Sequence, residues 1–299
     1  MIAAFAASTA AAPPPAAPRL EIAITMDDFP VHGGLPAGET RLDVARAILR
    51  AFKDAGVPEV YGFVNGARMN EEPGLDRMLQ AWRAAGYPLG NHGWAHRNLD
   101  QLTAAQFEDE LAKNEPVLAR YGRGADWHWF RYPFLAEGGD PARRDAARAI
   151  LARRGYRIAQ VSMSYADYEF ADAYLRCRAK GDAAGMAEFD ATYMIAVKSA
   201  LDRARTAAWA AYGRDVPYVV LTHVGAMNAR MMPKVLDLYR KAGFRFVTLA
   251  EAERDPVYAA DLNPAAAVGN TRTEAAAAAA AFGLPPRYNP APVLNRICR

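Results

Sequence analysis

With 299 residues, 52% of them hydrophobic and 23% charged, the chain can bury one large core or two modest ones, and its composition excludes general disorder. A net charge of +3, a pI near 8.8 and the lack of any Lys/Arg block or aromatic-basic interleaving argue against a nucleic-acid partner. No run beyond the N-terminus approaches the ~18 apolar residues of a spanning helix, so no transmembrane segment is expected.

Met1 to Pro18 carries no charge and is mostly Ala with Pro13-Pro14-Pro15. That is the composition of the end of an export signal plus a linker, or of a disordered arm, although the basic opening of a signal is missing. The expected address is the periplasm or the exterior, with the cytoplasm as the alternative. Glu21 to Met26 reads as the first strand, and Leu42, Ala45, Leu49 and Phe52 then recur at helical spacing until Gly56. Val60 to Val64 is the second strand. A helix from about Leu75 ends at Gly86, and Tyr87-Pro88-Leu89 leads into Asn91-His92-Gly93-Trp94-Ala95-His96. Thr103 and Gln106 form a capping box for a third helix, with Phe107, Leu111 and Leu118 on its apolar face and a bend expected at Pro116.

Trp127 to Phe130 reads as a strand, Asp140-Pro141 as a helix start, Gly155 as its end, and Arg157 to Met163 as the next strand. Tyr218 to Thr222 is an apolar strand ending at His223. A helix from Met232 to Ala242, closed by Gly243, precedes a strand from Phe244 to Leu249. Gly56, Gly86, Gly155 and Gly243 thus occupy one structural place, the left-handed residue between a helix and the next strand. The repeat predicts an α/β fold, a complete or distorted (β/α) barrel over 19–260, whose ligands bind at the C-terminal strand ends. A helical insertion at about 167–214 interrupts it, with Tyr174, Met186, Phe189, Tyr193, Ile195 and Val197 as packing residues. The segment 261–299, with its Ala run Ala275 to Ala281 and its proline-rich Leu284 to Pro292, reads as a tail packing on the barrel.

Chemistry-capable residues gather at those strand ends. Two histidines four apart, His92 and His96, can present both imidazoles to one ion, though ordinary helices also carry such pairs by chance. Asp27-Asp28 closes the first strand, and Arg131 and His223 close two others. A solvated Asp pair, a surface salt bridge and a core histidine are the ordinary readings of these three taken singly. Together they make a catalytic mouth.

Thr25-Met26-Asp27-Asp28-Phe29-Pro30, His92-Gly93-Trp94-Ala95-His96, Phe130-Arg131-Tyr132-Pro133-Phe134 and Leu221-Thr222-His223 resemble, in order and spacing, the motifs of the polysaccharide deacetylase family, carbohydrate esterase family 4, also called the NodB homology domain. The resemblance covers about Glu21 to Glu251 apart from the insertion. It implies a divalent ion, usually zinc, held by Asp28, His92 and His96, with Asp27 as catalytic base, Arg131 as that base's partner and His223 as general acid. It also implies an acetylated amino-sugar substrate, with Phe29, Trp94, Tyr132, Pro133 and Phe134 placed to line its site.

Physical chemistry is consistent with each role. Three N/O ligands leave an open position on the ion, and a guanidinium beside Asp27 favours its ionised form. Adjacent residues of a regular strand face opposite ways, so the strand end must turn both carboxylates into the mouth. The chain departs from the family at Phe29, where Gly is usual and a narrower site near the base is expected, and at Gly93, where a Ser or Thr hydroxyl that orients ligands is usual. The family's Asp-Trp motif is replaced at best by Asp167-Tyr168, with Asp167 as the residue orienting His223. His32, in the loop Val31-His32-Gly33-Gly34, is expected to be exposed, and His128 to face outward.

The implied activity is removal of N-acetyl groups from chitooligosaccharide, peptidoglycan or a similar amino-sugar polymer. The alternatives are hydrolysis of another non-peptide C–N bond or an acetyl ester, or an inactive carbohydrate-binding protein on the same scaffold. Cys177 and Cys298, the only cysteines, are either buried thiols or, if the chain is exported, a disulfide closing about 120 residues, worth up to about 4–5 kcal/mol. Such a bond would strap the tail across the insertion and help fix one wall of the substrate cleft.

Overall fold

The structure is a computed structural model that describes residues 20–265 and 282–299, so the N-terminal arm and Ala275–Ala281 lie outside the described residues. Eight parallel strands form one sheet: β1 Glu21–Phe29, β2 Val60–Val64, β3 Leu89–Asn91, β4 Trp129–Phe130, β5 Arg157–Ile158, β6 Met163–Ser164, β7 Tyr218–His223 and β8 Arg245–Phe246. Their order is β5-β4-β3-β2-β1-β7-β6, with β8 beside the first two residues of β1. β1 is buried along almost its whole length, because helices cover the outside and side chains fill the inside.

Helices α1 Arg41–Ala55, α2 Asp76–Ala84, α3 Ala104–Tyr121, α4 Pro141–Arg153 and α7 Ala226–Lys241 are the crossovers, and α5 Ala171–Lys180 and α6 Ala183–Tyr212 form the insertion. Short helices α8 Leu249–Ala252, α9 Ala259–Leu262 and α10 Ala291–Leu294 complete the chain. The four repeat glycines have the left-handed conformation expected, with φ of 68°, 89°, 76° and 88° at Gly56, Gly86, Gly155 and Gly243. The capping box Thr103/Gln106 opens α3, which runs on through Pro116, and the Asp140 side chain caps α4.

Three expected elements differ. The run read as one strand from Arg157 to Met163 is two, β5 on β4 and β6 on β7, at opposite ends of the sheet order. Five residue steps reach at most ~18 Å, so this single stretch brings the two ends of the sheet together and curls it into a distorted, nearly closed barrel. Helix α7 begins at Ala226 rather than Met232 and carries Pro233 inside it. The last strand stops at Phe246, because Thr248 and Glu251 form a capping box that starts α8.

The insertion is helical as expected, and Tyr174, Met186, Phe189, Tyr193 and Val197 are buried, whereas Ile195 is exposed on the outer face of α6. Cys177 on α5 and Cys298 in the tail form a disulfide with Cα atoms 4.9 Å apart. Gly185 makes room for it, since a Cβ there would fall 2.3 Å from the Cys298 sulfur. Leu294 and Ile297 are buried beside the bond, and Arg176 donates to the Leu294 carbonyl at 2.6 Å. Closing a loop of 121 residues restricts the unfolded chain. Replacing both cysteines by alanine is therefore expected to lower stability by up to about 4–5 kcal/mol. Chemical denaturation of the two proteins measures this, and equal midpoints would show that the tail docks without its strap.

Candidate active site

Asp27 and Asp28 both enter one cleft because β1 is irregular at this point. Pairing with β2 shifts register between Met26 and Phe29, and Asp28 has φ +62°, so the extra residue rotates its carboxylate to the side Asp27 already faces. Asp27 stays in register opposite His223 on β7. The cleft holds about 500 Å³ and is lined among others by Asp27, Asp28, His92, His96, Tyr132 and His223. Of the six non-glycine residues with positive φ among the described residues, Asp28, His96, Phe134, Leu135 and Ala166 line it, and only Cys298 lies elsewhere. Backbone strain held at one place by surrounding structure is characteristic of a working site.

Asp27 is buried against Arg131, whose Nη1 donates to both carboxylate oxygens at 3.1 and 3.2 Å. The guanidinium is fixed by Nε donating to the Ala159 carbonyl at 2.6 Å, by Nη2 donating to Thr25 Oγ1 at 3.1 Å, and by the Phe63 ring 4.7 Å beneath it. His92 donates from Nδ1 to the Arg131 carbonyl at 2.8 Å, which leaves the Nε2 lone pair facing the cleft. His92 Nε2 and His96 Nε2 lie 3.5 and 3.2 Å from Asp28 Oδ1, and that buried oxygen has no hydrogen-bond partner.

Burial, with the neighbouring His92, pushes His96 down to about 4 and keeps it neutral. Burial would raise the Asp28 carboxyl, but His32 and His92 outweigh it and hold it well below the usual carboxylate range. A carboxylate oxygen and two imidazole nitrogens converging within 4.8 Å of one another fit a divalent cation.

Across the cleft, His223 gives Nδ1–H to Asp167 Oδ1 at 2.7 Å, and its backbone N–H donates to Asp167 Oδ2 at 2.8 Å. Burial alone would lower the imidazole, yet the Asp167 carboxylate overrides it and raises His223 to about 9. Asp167 is itself held by Asn228, which also bonds the His223 carbonyl and receives the Tyr193 hydroxyl.

Several expectations need correction. Phe29 does not narrow the site: its ring is fully buried, packing on Trp82 at 4.7 Å and over Gly62. That burial is worth roughly 1.5–3 kcal/mol, so Phe29 serves the core. Trp94 covers Gly66 rather than the cleft, and Pro133 is buried beneath the His loop. Tyr132 lines the cleft from a buried position, and Phe134 stands 65% exposed at the rim against His96, ring centroids 4.5 Å apart.

His32 is not an exposed loop residue. Its Nδ1 is 2.8 Å from Asp28 Oδ2 and its ring stacks on His223. His128 does face outward, beside Asp126.

The hydroxyl lost at Gly93 has substitutes that the sequence reading missed. Asn65 Nδ2 donates to the His92 and Gly93 carbonyls, Glu110 from α3 accepts the Ala95 N–H at 2.7 Å, and Asn114 donates to Asn91 at 2.8 Å. The one available signal was Asn91, a poor strand former closing β3. Tyr168 was also missed as a rim residue; it is 52% exposed, its ring edge-on to His223 at 5.8 Å. The tail reaches the mouth too, through Arg287.

A curled parallel barrel of this kind is the fold of solved carbohydrate esterase family 4 proteins. Residues 16–159 match the family model for polysaccharide deacetylases, so the resemblance drawn from the motifs is shown over that segment. The motif around His223 lies beyond it and rests on the fold.

Among solved structures, the chain resembles the chitin deacetylase of the fungal pathogen Colletotrichum lindemuthianum with TM-score 0.55 and 20% identity, covering 77% of this chain and 86% of that one. It resembles a structure described as T48 deacetylase with substrate at TM-score 0.54 and 16% identity, covering 79% and 92%. A family 4 pseudoenzyme from Bacillus anthracis is similar at TM-score 0.55 and 14% identity, covering 78% and 65%. At these identities the likeness is one of fold. No curated protein matches the sequence. Among the described residues no helix is long and apolar enough to cross a membrane.

Proposed function

We propose that this protein is a metal-dependent hydrolase that removes acetyl groups from the amide nitrogen of an amino-sugar oligomer or polymer, such as chitooligosaccharide or peptidoglycan. The observation that carries the reading is the Arg131-paired Asp27 beside the Asp28/His92/His96 donor set, with Asp167-backed His223 opposite. A divalent ion bound by those three donors, zinc first among candidates, would polarise the acyl oxygen and acidify water there.

Asp27 takes the proton from the attacking water, and Arg131 holds its carboxylate in place through both oxygens. When the C–N bond breaks, the amine leaves with a proton from His223 Nε2. Asp167 holds the His223 ring and stabilises its charged form. The products are a free amine and acetate. Exposed Phe134 and Tyr168 offer aromatic faces on the two sides of the cleft for the apolar faces of sugar rings. An inactive binding scaffold was the alternative suggested by the altered motifs. Neither alteration touches the reacting groups, because Phe29 points into the core and Glu110 and Asn65 hold the His loop.

The test is acetate release, followed with mass analysis of products, from zinc-loaded protein given acetylated chitooligosaccharides, peptidoglycan fragments and a wider panel of acetamides and acetyl esters. Stepwise loss of acetyl groups from an amino sugar, with matching acetate, is the expected result. Folded, loaded protein that releases no acetate from any of them would overturn the reading.

A pH profile tests the acid separately. His223 lies at about 9 because of Asp167, so the protonated form is present below that pH and is lost above it. In Asp167→Asn the burial that lowers the imidazole is opposed only by Asp28 and Asp27, and the alkaline limb of kcat/KM should move down by about one pH unit, as removal of an adjacent opposite charge does. An unmoved limb would remove His223 from the acid role.

A further inference from the structure

Asp28 has histidines on both of its oxygens. Oδ1 faces His92 and His96, whereas Oδ2 lies 2.8 Å from His32 Nδ1. The His32 ring stacks on His223 with centroids 4.4 Å apart and planes 28° apart. One donor atom from each of Asp28, His32 and His223 falls within 4.8 Å of the other two. Four of the five histidines in the chain therefore converge on one carboxylate. The His32 loop is held in place by Val31, which is buried, and by Arg41 donating to the His32 carbonyl at 3.4 Å. The His32 side chain itself is only 15% exposed.

We propose that Asp28, His32 and His223 form a second, weaker divalent-cation site that shares Asp28 with the first and takes zinc or a similar borderline ion. Two imidazoles and one carboxylate are the donor set of three-ligand zinc sites with an open position. His223 already has the outer partner that metal-bound histidines carry, a carboxylate on the other ring nitrogen, in Asp167. A carboxylate shared through its two oxygens is also a common way to hold two ions about 3.5–4 Å apart. The second ion is the weaker because the first has already taken up the Asp28 charge and stands beside it as a neighbouring dication.

Filling this site has a consequence for catalysis. An ion on His223 Nε2 occupies the lone pair that must carry the proton to the leaving amine, so excess metal inhibits. The inhibition rests on the hydrolase reading above; the occupancy does not.

Metal-stripped protein titrated with zinc by calorimetry, with bound ions counted by native mass spectrometry, tests both parts. Wild type should take two ions in sequence. His32→Gln, which retains a hydrogen-bond donor for Asp28 but no imidazole, should lose the second ion and keep the first, and His32→Ala should repeat the result, with circular dichroism verifying each fold. Excess zinc should suppress wild-type turnover by ~100-fold or more, the scale of general-acid catalysis, and the suppression should vanish in His32→Gln. Saturation of wild type at one ion, or a second ion that persists in both variants, overturns the site. Loss of both ions in the variants also overturns it, because His32 would then serve only to position Asp28. Two ions bound with no turnover of any substrate would defeat the hydrolase reading and leave the site standing.

Discussion

His92→Ala and His96→Ala are each expected to lose the tightly bound ion and to bring turnover to background while the barrel stays folded. Both residues follow β3 on a loop whose backbone is held from outside by Asn65, Asn91 and Glu110, so removing an imidazole leaves the loop's own ties in place. The two differ in their cost to stability. His92 is buried and its Nδ1–H bonds the Arg131 carbonyl, so His92→Ala loses a buried hydrogen bond, at about 0.5–1.5 kcal/mol. His96 is half-buried and donates to no such group, so its replacement should cost less. Elemental analysis after gel filtration reads the ion, acetate release reads turnover, and circular dichroism reads the fold. A variant that keeps a tight ion and full turnover would show that the ligand set is wrong.

How much of this was legible in the sequence depended on the range of the interaction involved. The β/α repeat showed through four glycines because a left-handed residue after a helix is a local requirement. The curl of the sheet did not. Arg157 to Met163 is uniformly strand-like, and nothing in its composition says that its first residues pair with β4 and its last with β7.

Residue types at the site were readable from motif order, whereas orientation was not. Asp28 turns into the cleft through a bulge set by pairing with β2, which begins 32 residues later in the chain at Val60. His32 looked exposed because its loop is polar and glycine-rich, yet β7 supplies the ring it stacks on from almost two hundred positions away. Phe29 looked like a wall of the site because it follows the Asp pair, and the same bulge sends it into the core instead. The support of the His loop by Glu110 and Asn114 was hidden because both sit on α3 among exposed polar residues, with no local sign of facing inward. The early start of α7 was missed for a related reason: Asn228 in its first turn is chosen for Asp167, not for helix formation.

Asp27→Asn and Asp28→Asn are neighbours with the same chemical change, and they should fail in different ways. Asn at position 27 keeps the shape but cannot take a proton from water, and general-base catalysis supplies ~100- to 10,000-fold, so kcat should fall at least into that range. The ion should remain, because Asp27 stands 3.8 Å from His92 Nε2 and the donors converge on Asp28 instead. Some stability should go as well. Arg131 would lose its ion pair with Asp27, and breaking a buried pair from one side costs as much as ~3–5 kcal/mol. The comparison is therefore best made well below the melting temperature of the variant. Asn at position 28 removes the negative charge at the point where two imidazoles converge, so affinity for the ion should fall first and turnover with it, partly restored by added metal. Chelator competition separates the two cases: Asp27→Asn should hold its ion against the chelator as wild type does, and Asp28→Asn should release it. Swapped behaviour would mean that Asp27 is the ligand and Asp28 the base, leaving Arg131 paired with a ligand rather than with the base.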